Sequence, residues 1–220
     1  MITEKQFKIL AAQMWHPRGI MGTMVATHMN KGNLRMNLET IAHIQPKPDD
    51  NILEIGMGNG YYVKNLLSQS KLTKYFGIDI SNTMVNESIL LNEKLVLNNQ
   101  ALFIQANASN LPFIDEYFDT VFTVNTIYFW NDIQIVLSEV RRVLKTNGTF
   151  VLSLRPRSIM GSLPMTKYGF QSFSNENIIE TLESNGFTPI KVTEKKDAAI
   201  TFNDQTFENA FFIVKAKKSR

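Results

Sequence analysis

The chain has 220 residues, a formal net charge of +3, 44% hydrophobic residues and 20% charged residues. This length suits one domain with a single large core, and so small a charge excess does not require a nucleic acid partner. The absence of cysteine excludes disulfides, thiolate metal sites and a cysteine nucleophile. No apolar run approaches the ~18 residues of a membrane span, and the N-terminus lacks a signal-peptide pattern, so we expect a cytoplasmic protein.

The first 48 residues predict a helical cap in front of an α/β core at 49–220. Apolar residues recur at helical spacing in 3–15 and again in 33–44. The intervening segment, 15–33, is rich in methionine and glycine, which adapt to irregular apolar surfaces and supply hinges. It is therefore interpreted either as a mobile lid over a site or as a static cap packed on the sheet, with equal weight.

A strand, a glycine turn and a helix follow the cap. Residues 51–55 form a short apolar run, Gly56, Gly58 and Gly60 come next, and 61–70 has helical character. Glycine allows positive φ and lets a ligand lie against the main chain. The nicotinamide fingerprint needs its third glycine one position later, and the phosphate-binding loop needs a Lys-Ser or Lys-Thr pair, so neither pattern fits.

Asp79 ends the next predicted strand, 75–79, at 19 residues after Gly60. A carboxylate at about this distance accepts hydrogen bonds from a ribose diol in nucleotide-binding βαβ units. The alternative is that Asp79 caps the following helix together with Ser81 and Asn82. The joint spacing favours the ribose interpretation.

The remaining chain alternates between predicted helices and strands. Helices are expected at 84–98, 133–144 and 175–185, and strands at 102–105, 119–124, 149–154, 188–193 and 207–215. In the helix at 84–98, one side is expected to carry Val85, Ile89, Leu90 and Leu97. This alternation predicts a doubly wound, mostly parallel sheet with helices on both faces. The last two strands have no helix between them and are expected to pair antiparallel.

Five segments in chain order resemble the class I S-adenosylmethionine-dependent methyltransferases. They are Glu54–Gly60, Gly77–Ser81, Gln105–Phe113, Phe118–Asn125 and Glu139–Gly148. The resemblance covers roughly 50–154. It implies a Rossmann-like, seven-stranded sheet with an antiparallel last strand, and S-adenosylmethionine as the cofactor.

The resemblance also implies which residues contact the cofactor. These are Glu54, Gly56, Met57, Gly58, Gly60, Asp79, Ile80, Met84, Asn107, Ala108 and Asn125. The glycines approach the methionine and ribose portions through backbone atoms, and Ile80 and Met84 pack on the adenine. Asn107 stands where the family more often has Asp; its amide can still accept a bond from the adenine amine, or it can simply satisfy its own turn.

The acceptor is expected beside the fourth strand. The candidate contacts are His28, Met29, Tyr62, Tyr128 and Trp130. The segment 125–130 departs from the Asn-Pro-Pro-Tyr motif of nucleic acid amine methyltransferases, which argues against a nucleic acid base, and no metal is expected because acidic ligands are missing there. No residue is decisive as a general base.

The sequence therefore predicts metal-independent methyl transfer to a small molecule. A regulatory module that binds S-adenosylmethionine without turnover and a nicotinamide oxidoreductase are the alternatives. The oligomeric state is not predicted.

Overall fold

The computed structural model describes residues 3–202 and 205–219, so Met1, Ile2 and Arg220, at the ends of the predicted 1–220 domain, lie outside the described residues. The helices are α1 Glu4–Trp15, α2 Gly19–Gly32, α3 Leu34–Ile44, α4 Val63–Leu67, α5 Asn82–Leu91, α6 Glu93–Leu97, α7 Ile133–Val143, α8 Arg157–Met160 and α9 Asn175–Ser184. The strands are β1 Asn51–Ile55, β2 Lys74–Asp79, β3 Ala101–Gln105, β4 Phe118–Val124, β5 Leu144–Leu154, β6 Phe187–Phe202 and β7 Gln205–Lys218. None of the helices in these described ranges is long and apolar enough to cross a membrane.

The strands of the described ranges form one seven-stranded sheet in the order β3-β2-β1-β4-β5-β7-β6. Strands β1 to β5 pair in parallel, and β7 runs antiparallel to both β5 and β6. The predicted fold class is confirmed. Because β1 to β3 spread in one direction and β4 lies on the other side of β1, the strand order reverses between β1 and β4, where open α/β sheets bind their ligands.

Helices cover both faces of the sheet. On one face α7 and α9 bury Val136, Leu137 and Leu182 against Phe118 and Phe150 of the sheet. On the opposite face, α3 and α4 pack their apolar side chains against β1, β4, β5 and β7. Because helices cover both faces, most residues of β1, of β4 and of β5 from Gly148 onward are buried.

The single helix predicted at 84–98 is wrong: α5 ends at Leu91 and α6 begins at Glu93. The break is at Asn92, whose buried amide donates to the Gly60 and Ser88 carbonyl oxygens. Such side-chain bonds to backbone compete with helix continuation. The predicted apolar side is also wrong, because Leu90 and Leu97 are 76% and 74% exposed, and α5 buries Met84, Val85 and Ser88 instead.

The N-terminal segment is more regular than its composition indicates. Residues 19–32 form the continuous helix α2, which buries Gly22 and Ala26. Gly22 is needed for close packing rather than as a hinge, since a Cβ there would lie 2.7 Å from the Pro17 carbonyl carbon. The Ser81 hydroxyl donates to the Pro17 carbonyl oxygen, which fixes the turn between α1 and α2 on the core.

The observed elements also differ from the predicted ones at several ends and in the region between β5 and α9. The helix predicted at 61–70 is shortened to α4, while β5, β6 and β7 extend beyond their predicted bounds. The region between β5 and α9, for which no element was predicted, holds α8 and a 3-10 helix at Pro164–Lys167. This region and the N-terminal helices lie at the same edge of the sheet, where both line the cavity described next.

Candidate active site

A cavity of about 410 Å³ lies at the carboxyl ends of β1, β2, β4 and β5, where the strand order reverses. Its volume falls within the roughly 300–1,000 Å³ of typical ligand pockets. The cavity brings together every predicted site residue except one: Glu54, Gly56, Met57, Gly58, Asp79, Ile80, Met84, Asn107, Ala108, Asn125, His28, Met29, Tyr62, Tyr128 and Trp130.

The exception is Gly60, which does not line the cavity. All three glycines of the turn have positive φ, at +72° for Gly56, +57° for Gly58 and +66° for Gly60. A Cβ on Gly60 would lie 2.9 Å from Asn92 Nδ2, and one on Gly56 would lie 2.3 Å from Thr126 Cγ2. These two glycines therefore allow close packing, whereas a Cβ on Gly58 would meet no protein atom within 4 Å.

Asp79 holds the glycine turn in place. Its carboxylate accepts hydrogen bonds from the Gly58 N–H at 3.0 Å and from the Ser81 N–H at 2.8 Å. A carboxylate has about four acceptor sites, so two remain for a ligand diol. The predicted alternative role in capping α5 belongs to Ser81, whose hydroxyl accepts from the Met84 N–H. Burial raises the pKa of Asp79 to about 6.

Glu54, on β1, is a second buried carboxyl group in the cavity wall. Its Oε2 accepts a hydrogen bond of 2.5 Å from the Tyr75 hydroxyl. Burial, opposed by the Tyr75 bond and aided by the nearby Asp79 charge, raises the pKa of Glu54 to about 8. Asp79 is mostly ionised at neutral pH, and a nearby cation would favour ionisation of Glu54 as well, so this end of the cavity suits a cationic ligand group.

A pH-dependent stability follows from Glu54. Because its folded-state pKa lies above the unfolded value of 4.5, the unfolded chain releases this proton first, and stability falls as pH rises from 4.5 to about 8. We expect Glu54→Gln to be more stable than wild type at pH 8 and to lose part of the pH dependence. Thermal melts of both proteins between pH 5 and 8.5 test this; parallel melting curves at all pH values would contradict it.

The residues that follow β3 form the segment predicted to contact the adenine of the cofactor. Asn107 Oδ1 accepts from the Ser109 N–H at 3.0 Å, so the alternative role of satisfying its own turn is present in the structure. The Asn107 amide N–H₂ and the second lone pair of its oxygen remain open to a ligand. Met84 and Ile80 line the same part of the cavity.

The other end of the cavity is built on β4 and β5. Asn125 follows β4 with a φ of +59°, a conformation that Asn tolerates better than most residues. The Tyr128 hydroxyl donates to Asn125 Oδ1 at 3.0 Å and accepts a hydrogen bond from the Arg155 N–H. Burial raises the pKa of Tyr128 well above its ordinary value, so this hydroxyl stays neutral and positions Asn125.

The cap contributes one wall through α2. The Tyr62 hydroxyl donates to the Asn30 carbonyl oxygen, and the Asn30 amide donates to Asn59 Oδ1 at 3.1 Å. Burial raises the pKa of Tyr62 to about 12. His28 and Met29 lie on the same helix and line the cavity. Tyr62 is thus bonded to the cap as well as facing the predicted acceptor.

Sequence reasoning missed two contributors to the cavity. The first is the segment after β5, which supplies Met160, Leu163, Met165 and Phe170; its only sequence signal is a run of apolar residues without helix or strand periodicity. The second is Arg155, which is 6% exposed. Its position directly after the strand predicted at 149–154 is the sequence signal that could have found it, because ligands bind at the carboxyl ends of such strands.

The sheet order, the glycine turn and the acidic residue ending β2 are typical of nucleotide-binding α/β proteins. A family model described as a methyltransferase domain matches residues 53–152. The curated protein YdaC of Bacillus subtilis strain 168, an uncharacterized methyltransferase, is 29% identical over 163 residues, which cover 74% of this chain and 85% of YdaC.

Two solved structures have the same fold at low sequence identity. A complex of the Haloferax volcanii Trm112 methyltransferase activator with a methyltransferase gives a TM-score of 0.79 at 18% identity, covering all of both chains. A Haemonchus contortus phosphoethanolamine N-methyltransferase, bound to phosphomonomethylethanolamine and S-adenosylhomocysteine, gives 0.67 at 18% identity, covering 84% of this chain and 53% of that one.

The chain belongs to the class I S-adenosylmethionine-dependent methyltransferases. The resemblance noted in the sequence is confirmed, and the nicotinamide oxidoreductase and the non-catalytic module are set aside.

Proposed function

We propose that this enzyme transfers the methyl group of S-adenosylmethionine to a small-molecule acceptor, without a metal ion and in the cytoplasm. The observation that carries the proposal is one continuous cavity with two different ends. One end has the open backbone at Gly58 and the buried carboxyls of Glu54 and Asp79; the other has Tyr128 and Phe170. Donor and acceptor can therefore occupy one continuous cavity.

The residues present fit the cofactor. The missing Cβ at Gly58 leaves space for a ligand against the main chain, and Asp79 retains acceptor capacity for a ribose diol. The two buried carboxyl groups suit a ligand that carries a sulfonium and an ammonium group. When bound, S-adenosylmethionine supplies an electrophilic methyl group, so the protein mainly has to align the acceptor with it.

The acceptor end suits a small, largely apolar molecule. Trp15, Met160, Leu163 and Phe170 line it together with Tyr128. Helix α2 of the cap and the segment after β5 both line the cavity. Excluding water from such a site strengthens the interactions that orient the reacting groups.

Methyl transfer from a tritiated donor to a library of small molecules tests the proposal. We expect labelled product with at least one acceptor class and one-to-one binding of S-adenosylhomocysteine by calorimetry. Binding of S-adenosylhomocysteine without transfer to any small molecule would contradict the acceptor assignment. Chelator should leave the rate unchanged if no metal takes part.

A second candidate function rests on the Haloferax volcanii structure, in which the similar methyltransferase is bound to its Trm112 activator. By this alternative, the chain requires an activator protein for turnover. Turnover of a small molecule by the isolated chain would exclude the alternative, because no activator is then needed.

As part of the proposal, segment 15–33 acts as a lid. In the structure α2 is docked on α5: the Gly19 N–H donates to Thr83 Oγ1 at 3.1 Å, and the Thr23 hydroxyl donates to Glu87 at 3.3 Å. Single hydrogen bonds of this kind contribute only about 0.5–1.5 kcal/mol each, and the lid requires that α2 opens locally while the rest of the domain stays folded.

The lid predicts that amide hydrogen exchange in 17–33 slows when S-adenosylhomocysteine binds. Helix α7, on the opposite face of the sheet, serves as the internal control and should not change. Slow exchange in 17–33 without ligand, unaffected by ligand, would show a static cap. A protein lacking 1–32 should fold but lose turnover.

A further inference from the structure

Arg155 is distinctive among the cavity residues. Within 3–202 and 205–219, it is the one arginine or lysine that lines the cavity. It follows β5 directly, and its backbone N–H donates to the hydroxyl of Tyr128, which belongs to the acceptor end of the cavity. Arg155 is therefore assigned to the acceptor end.

Hydrogen bonds hold the Arg155 guanidinium in a fixed orientation. Its Nε donates to Asn209 Oδ1 at 3.0 Å, one terminal nitrogen donates to Asn33 Oδ1 at 2.8 Å, and the other donates to the Gly32 carbonyl oxygen at 3.4 Å. All three acceptors are neutral. Since a guanidinium has five N–H donors, these bonds leave two for a further partner.

The charge of Arg155 is only partly compensated. The nearest carboxylate, Asp197, lies 3.7 Å from the guanidinium, which is longer than a hydrogen bond, and its Oδ1 accepts from the Ala198 N–H. Its side chain is buried, and this burial lowers the pKa of Arg155. A buried cation of this kind gains from a second anion placed at its free donors.

The acceptor end offers little basic chemistry. Tyr62 and Tyr128 stay protonated because burial raises the pKa of each. Glu54 and Asp79 lie toward the glycine turn. His28, on α2, also lines the cavity, but its side chain is exposed. A nucleophile that is already deprotonated fits this arrangement best.

We propose that Arg155 binds the carboxylate of an apolar carboxylic acid acceptor and that the product is its methyl ester. This inference rests on the proposed function and names its substrate class. A carboxylate oxygen attacks the methyl carbon, the carbon–sulfur bond breaks, and its electron pair remains on sulfur as a neutral thioether. No proton is released, so no general base is required. The apolar body of the acid packs on Trp15, Met160, Leu163 and Phe170.

The test offers wild-type protein a tritiated donor with decanoate, phenylpropionate or benzoate, each beside its primary amide and alcohol. Mild alkali releases methyl esters as volatile labelled methanol, whereas ethers and methylamines keep the label. We expect alkali-labile label with at least one acid and none with the matched amides and alcohols. If no acid is methylated, or if the label in the product is stable to alkali, the inference is overturned. Alkali-stable label would still leave the proposed function intact, because a small molecule has then been methylated at another type of atom.

Variants separate substrate recognition from a structural role. Arg155→Gln should lower kcat/KM for the acid by roughly 10- to 150-fold, the loss of a hydrogen bond to a charged group, while S-adenosylhomocysteine affinity is kept. Arg155→Lys keeps the charge and should recover part of the rate. Asp197→Asn removes the competing anion and should not weaken acid binding.

Two results with these variants would overturn the inference. If Arg155→Gln instead loses S-adenosylhomocysteine affinity, the arginine serves the carboxylate of the cofactor. If Arg155→Gln and Asp197→Asn reduce thermal stability equally and neither changes the KM for the acid, Arg155 only joins the cap to the β6–β7 hairpin.

Discussion

Replacing Gly58 with valine should abolish cofactor binding while leaving the protein folded. The Cβ of residue 58 has no protein atom within 4 Å, so the new side chain enters the cavity instead of the core. The positive φ of +57° adds backbone strain of about 1–3 kcal/mol, which a domain of this size tolerates. Binding is lost because the branched side chain occupies the space that the ligand needs.

Gly19→Val is the matched control for this variant. Gly19 has nearly the same φ, +55°, and also has no protein atom within 4 Å of its Cβ position, but it lies outside the cavity wall. Both variants should melt at similar temperatures, and only Gly58→Val should fail to bind S-adenosylhomocysteine in calorimetry. Equal affinity in both variants would show that the ligand does not approach residue 58.

Asp79→Ala is expected to have the second largest effect on cofactor binding, because the Asp79 carboxylate is lost. Its carboxylate both fixes the Gly58 and Ser81 N–H groups and is available to a ribose diol, so its loss should weaken S-adenosylhomocysteine binding by roughly 1.5–3 kcal/mol. Asp79→Asn keeps an acceptor oxygen without the charge and should lie between wild type and Asp79→Ala. Wild-type affinity in Asp79→Ala would remove this residue from the site.

Because Asp79 has a raised pKa, the same binding experiment can also be carried out as a function of pH. Because the pKa of Asp79 is raised to about 6, the fraction of ionised carboxylate falls as pH drops through 6. Wild-type affinity for S-adenosylhomocysteine should therefore decline below about pH 6, and Asp79→Asn should lack this decline. An identical pH profile in the two proteins would assign the decline to another group.

Local sequence patterns predicted the parts of the fold that are determined by a few consecutive residues. The strand–glycine–helix unit around Gly58 and the acidic end of β2 at Asp79 are signals of this kind, because a turn with positive φ and a buried strand each leave a mark in a few consecutive residues. The antiparallel end of the sheet followed from the missing helix between its last two strands.

The features that sequence reasoning missed depend on contacts between distant segments. Gly60 has the spacing of a ligand-contacting glycine but packs against Asn92 and Ser88, 32 and 28 positions further along the chain. Asn92 ends α5 through the same contact, which no periodicity shows. Arg155 acquires its orientation from Asn33 and Asn209, so its place in the cavity wall is a property of the assembled fold.

The central claim is that the cavity between the glycine turn and Asp79 binds S-adenosylmethionine. Calorimetric titration of the wild-type protein with S-adenosylhomocysteine tests it most directly, with NADH as the comparison ligand. We predict saturable one-to-one binding of S-adenosylhomocysteine, no heat from NADH, and loss of the signal in Gly58→Val but not in Gly19→Val. Absence of binding to wild-type protein, or equal binding by Gly58→Val, would contradict the claim.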